Sequence, residues 1–117
     1  MTNTIKKFIL LAFIPAVLTV SCAEQATNKS NVVAEKIKAG ALVVDVRSNE
    51  EVAAGMYQGA KHIPIEQTEA RLAEFGPKDG AIVLYCRSGG RAGRVKQLLE
   101  SQGYTNVTNA GGLKDMP

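Results

Sequence analysis

Tryptophan is absent, histidine occurs once and cysteine twice in the 117 residues. Each scarcity excludes something. One His and one isolated thiol cannot build a typical zinc site. Two cysteines do not make a disulfide framework, because Cys22 sits at the end of a leader-like segment and only Cys86 lies in the body of the chain. A large charge of one sign is also missing. Once Lys6 and Lys7 of the leader are set aside, twelve Lys and Arg face eleven Asp and Glu. A near-neutral body lacks the basic face that nucleic acid requires, so nucleic acid is not an expected partner. Internal repeats and low-complexity stretches are absent. The length allows a single domain.

The longest apolar run, residues 8–20, is short for a bilayer span, which takes about 20 apolar residues. With Lys6 and Lys7 before it and Ser21-Cys22-Ala23 after it, residues 1–22 read as a secretory signal. Two cleavage chemistries compete. Leu18-Thr19-Val20-Ser21-Cys22 resembles a bacterial lipobox, although Thr19 stands where Leu is usual. In that reading Cys22 is the lipidation residue and the protein a periplasmic lipoprotein. Cleavage after Cys22 by ordinary signal peptidase gives a soluble periplasmic protein instead. The lipobox reading accounts for a cysteine at that spot and is preferred. Membrane contact is then expected only through a lipid on Cys22. Residues 23–30 are polar and aperiodic, and read as a flexible tether.

Residues 31–117 read as an α/β domain. Ser30 or Asn31 caps a short helix to Ala39, stopped by Gly40. Residues 41–46 form a continuous apolar run with β-branched content, a buried strand. Residues 49–54 are a helical turn, residues 63–65 are extended, and residues 68–75 carry a helical pattern. Residues 81–85 form a second buried strand, residues 91–102 an amphipathic helix with Ala92, Val95, Leu98 and Leu99 inward, and residues 104–107 a last strand. Apolar strands alternating with helices indicate a parallel β-sheet flanked by helices on both faces.

Cys86 follows the second strand and opens the loop Cys86-Arg87-Ser88-Gly89-Gly90-Arg91. Ligands of such folds bind beyond the carboxyl ends of the strands. Gly89 and Gly90 let the backbone turn tightly, so that successive N–H groups converge on one spot. The following helix adds its free N–H groups and partial positive charge. Arg87 and Arg91 add full charges. Such a bowl favours thiolate over thiol and makes Cys86 the candidate nucleophile. Arg94 lies on the next turn and is read as solvated, with a reach toward the loop left open.

The loop resembles the active-site loop of the rhodanese family. Val44-Asp45-Val46-Arg47, Glu51, Gly55, Gly59-Ala60 and His62-Ile63-Pro64 resemble the first block of that family, and Asn109-Ala110-Gly111-Gly112-Leu113 its closing block. Gly55-Met56-Tyr57 departs from the usual Gly-His-Ile. The leader and the closing stretch are most similar to the small periplasmic members of phage-shock type. The resemblance implies a thiosulfate sulfurtransferase. Cys86 takes the outer sulfur of thiosulfate as a persulfide and passes it to cyanide or a thiol. Arg87, Ser88, Gly89, Gly90 and Arg91 bind the donor. No metal or organic cofactor is implied. Two rivals stand beside this reading. A persulfide carrier or anion-binding module would serve a protein partner without turnover. A cysteine phosphatase or arsenate reductase uses a longer loop than the four residues between Cys86 and Arg91.

Other conspicuous residues read as framework. Arg47 and Glu51, four apart, are expected to pair. Asp45 ties down backbone donors at the strand end. His62, remote in sequence from the loop, and the core tyrosines Tyr85 and Tyr104 are assigned no catalytic part.

Overall fold

The computed structural model describes Pro15 and residues 22–117. The signal expected over residues 1–22 thus falls outside the described residues, apart from Pro15 and the backbone of Cys22. Among the described residues no helix is long and apolar enough to cross a membrane.

The first helix, α1, spans Cys22–Lys38 and takes in the segment expected to be a flexible tether. Ala23, Glu24, Gln25 and Ala26 are good helix formers and carry the helix back from the short span expected. Gly40, at φ 96°, ends the connection, because only glycine enters that region without cost. Four strands follow: β1 Leu42–Asp45, β2 Lys61–His62, β3 Ile82–Cys86 and β4 Val107–Gly112. They pair in parallel in the order β2-β1-β3-β4. A short helix α2, Asn49–Ala53, follows β1, and a longer one, α3, Gly90–Ser101, follows β3.

Side chains alternate across a strand, and the core divides accordingly. Val44, Ile82, Leu84 and Cys86 face α3, where Ala92, Val95 and Leu99 cover them. Val43, Val83 and Tyr85 face α1, which covers them with Val33 and Ile37. The sheet thus has a helix on each face, as expected. Complete burial of each aliphatic side chain contributes about 1.5–3 kcal/mol. Leu98, expected inward, is only half-buried at the edge of the α3 stripe.

Two elements differ from the sequence reading. Residues 68–75 are not an α-helix; 3-10 turns form at Ile65–Gln67 and Leu72–Phe75. Leu72 and Phe75, three apart, suit the 3-10 period, and Ala70 and Ala73 are exposed, so no α-helical apolar stripe exists to be buried. The last strand lies later than expected. Tyr104 donates from its backbone N–H to the Leu99 carbonyl (3.1 Å) and from its hydroxyl to the Leu72 carbonyl (3.1 Å), which makes residues 104–106 a return loop. Asn109-Ala110-Gly111-Gly112 lacks β-propensity, and β4 exists because β3 offers it a partner.

Candidate active site

Parallel pairing brings the carboxyl ends of the strands to one edge. There His62 pairs with Asp45, Asp45 with Tyr85, and Cys86 with Gly112. Cys86 is the last residue of β3 and 1% exposed. The chain turns at once into α3. Gly89 is the N-cap, at φ 100°, and its N–H donates to Cys86 Sγ at 2.9 Å. Burial pushes the thiol pKa up, but hydrogen bonds from the N–H groups of Ala92, Ser88, Gly89 and Arg91 outweigh it and hold the thiol below its ordinary range. The thiolate is therefore stabilised chiefly by backbone donors at a helix start.

The closing segment braces this loop. Asn109 Nδ2 donates to the Gly89 carbonyl (2.9 Å), and Asn109 Oδ1 accepts from Gly111 N (2.9 Å). Asp115 Oδ2 accepts from Gly112 N (2.8 Å). Gly112 lies so close to the loop that a Cβ there would collide with the Arg87 carbonyl.

The model of the rhodanese-like domain matches residues 29–115. The chain belongs to the rhodanese-like family. It is 40% identical over 74 residues to the thiosulfate sulfurtransferase PspE of Escherichia coli, covering 62% of this chain and 71% of that one. With the human thiosulfate:glutathione sulfurtransferase it shares 39% identity over 85 residues, covering 62% of this chain and 74% of the relative. The solved structure of an E. coli rhodanese with anions superposes with a TM-score of 0.62 at 38% identity, over 67% of this chain and 95% of that chain.

In this rhodanese-like domain the two loop arginines are placed differently. Arg87 is exposed, and among the described residues its guanidinium has no partner. Arg91, expected to grip the donor, is engaged by Glu51: Nη1 to Oε1 at 2.6 Å and Nη2 to Oε2 at 2.9 Å. The exposed Ser88 supplies an N–H to the sulfur, and Gly90 is the first residue of α3. Arg94, also exposed, lines a groove with Ile65, Glu66, Glu69, Val95 and Leu98.

The expected pairing of Arg47 with Glu51 does not occur. Arg47 Nη2 folds back to Asp45 Oδ2 (2.8 Å) and donates to the Gly55 carbonyl (2.7 Å). Asp45 is wholly buried, and a buried carboxylate takes the nearest counter-charge. Asp45 Oδ1 accepts from Arg47 N (2.9 Å), the backbone tie expected of it, and Oδ2 accepts from the Tyr85 hydroxyl (2.6 Å). Burial pushes the Asp45 carboxyl up; the hydrogen bonds from Arg47 and Tyr85 outweigh it and leave the group below its ordinary range. Burial, with Asp45 as acceptor, pushes Tyr85 up to about 12. The Tyr85 hydroxyl in turn accepts from Tyr57 N (2.9 Å). His62 Nε2 donates to the Arg47 carbonyl (2.7 Å), a framework bond. Sequence reasoning missed Asn109 and Glu51 as supports of the loop. The available signals were the polar residue just ahead of Gly111-Gly112 and the acid at the third helical position after Ser48.

Proposed function

We propose that this sulfurtransferase takes its sulfur from thiosulfate, holds it as a persulfide on Cys86, and passes it to cyanide or a thiol. The cluster of N–H groups around Cys86 Sγ carries the reading. The thiolate attacks the outer sulfur of thiosulfate. A new S–S bond forms, the old one breaks, and sulfite leaves with the electron pair. The outer sulfur of the persulfide then accepts the attack of a nucleophile. The Cys86 thiolate departs with the electron pair, and the amides stabilise it again. Arg87, exposed and next to Cys86 in the chain, is a cation available to the sulfonate oxygens. The family resemblance of the motifs and the names of the relatives support thiosulfate as donor.

Thiocyanate formation from thiosulfate and cyanide tests the reading, with the full chain and its Cys86→Ser variant. Turnover in the former and none in the latter is expected. A free, reactive thiol with no turnover would replace the thiosulfate reading with a carrier that serves a protein partner.

The proposal extends to location. The basic, apolar and small-residue sequence of residues 1–22 supports export to a periplasm with a lipid on Cys22. The intact mass of the exported protein tests this: a diacylglycerol-sized increment on an N-terminal Cys22 is expected, and an unmodified N-terminus at Ala23 overturns the anchor.

A further inference from the structure

Arg91 stands in the first turn of α3, and its own N–H is among those facing Cys86 Sγ. Its guanidinium is held in a two-point fork by Glu51, forty residues earlier in the chain. Glu51 is itself fixed. It is the third helical residue of α2, and its Oε1 accepts from Ser48 Oγ (3.1 Å) and Ser48 N (3.4 Å) in a capping box. Hydrogen bonding from Arg91 holds the Glu51 carboxyl down at about 2, so the pair stays ionised at any working pH. A cation in the first turn of a helix is electrostatically misplaced, and Glu51 compensates it. The fork ties α2 to the turn whose amides face the sulfur.

We infer that Glu51 is a positioning residue of the sulfur site: by clamping Arg91 it holds the first turn of α3, and with it the amide donors, onto Cys86 Sγ. Arg91 acts through its backbone N–H, and its side chain is a strut and not a donor ligand. The inference rests on the reading of Cys86 as the working thiolate, but not on the identity of the sulfur donor.

Charge and geometry make opposite forecasts. By charge alone, loss of the Glu51 carboxylate stabilises the thiolate, and loss of the Arg91 cation destabilises it. If the pair positions the amides, either loss loosens them and both raise the thiol pKa. The test is the pH dependence of iodoacetamide alkylation at Cys86 in the full chain, read by mass spectrometry on the peptide that contains Cys86. The variants are Glu51→Gln, which retains a capping side chain for Ser48, and Arg91→Met. Both are expected to move the midpoint upward by about half a unit to one unit. Arg91→Lys, a milder change that keeps the charge but not the fork, is expected to fall between wild type and Arg91→Met. Shifts of opposite sign would reduce the pair to through-space charge and overturn the inference. Unmoved midpoints with a lowered melting temperature would make the pair merely structural. An unmoved midpoint with a raised KM for thiosulfate in Arg91→Met would make Arg91 a donor ligand. A wild-type chain that turns over no thiosulfate still yields these midpoints, so failure of the donor reading is seen separately.

Discussion

Asn109 Nδ2 and the Gly89 carbonyl meet at 2.9 Å, so the last strand of the sheet holds the turn whose N–H donates to the Cys86 sulfur. The same amide receives Gly111 N through Oδ1. One side chain thus couples the N-cap of α3 to the end of β4. Asn109→Ala leaves a half-buried carbonyl and an N–H without their partners. We expect a loss of about 1–3 kcal/mol in urea unfolding. A several-fold fall in thiocyanate turnover should accompany it, because the cap of the amide cluster loosens. Wild-type turnover in a destabilised variant would confine Asn109 to folding.

The Cys86 thiol lies below its ordinary value of 9.0 because N–H donors outweigh burial. A lowered thiol pKa keeps the thiolate populated as pH falls toward neutrality. The rate of Cys86 alkylation should therefore reach half its plateau below pH 9.0 and fall only on the acid side of that lowered midpoint. Urea-unfolded chain should titrate as an ordinary thiol, and equal midpoints in the two states would remove the case for an activated nucleophile.

Glycine is required unequally along the site. A Cβ at Gly112 collides with the Arg87 carbonyl, whereas one at Gly90 meets nothing within 4 Å. Gly112→Ala should cost about 1–3 kcal/mol through overpacking and displace the cysteine loop, with heavy loss of turnover. Gly90→Ala should fold as well as wild type. Equal behaviour of the two variants in thermal melts and turnover would contradict the packing described.

Tyr85→Phe removes the hydroxyl that donates to Asp45 at 2.6 Å and accepts from Tyr57 N at 2.9 Å. A loss of about 1–3 kcal/mol at neutral pH is expected. The sign of its pH dependence follows from Asp45. That carboxyl is depressed in the fold, so its contribution is present above its ordinary value of 3.8 and is lost as pH falls through the lower folded value. Part of the depression comes from Tyr85. The gap in stability between wild type and Tyr85→Phe should therefore narrow below about pH 3.8, as read in urea titrations across pH. A gap that widens there would contradict the network.

Much of this was legible in the residues. The buried strands at 42–45 and 82–86 announce themselves because both faces are covered, which demands unbroken apolar runs. Cys86-Arg87-Ser88-Gly89-Gly90 marks the amide turn because tight turning leaves its own glycine trace. What stayed hidden depends on partners distant in sequence. Arg47 is four residues from Glu51, yet a buried Asp45 two residues away outbids it. Glu51 goes instead to Arg91, and no local rule connects positions forty apart. The segment 109–112 carries no strand propensity, and the neighbouring β3 imposes the extended form on it. The apolar residues of 68–75 suggest a helix by spacing, but the half turns that form bury only Thr68 and Phe75.

The bracing of the cysteine loop has a temporal consequence. Among the described residues, the braces on the cysteine loop and α3 come from both sides in sequence: Glu51 from before, and Asn109, Gly112 and Asp115 from after. A chain in which β4 has not yet docked lacks the contacts of Asn109, Gly112 and Asp115, so the full set of braces on the cysteine loop waits on the docking of β4.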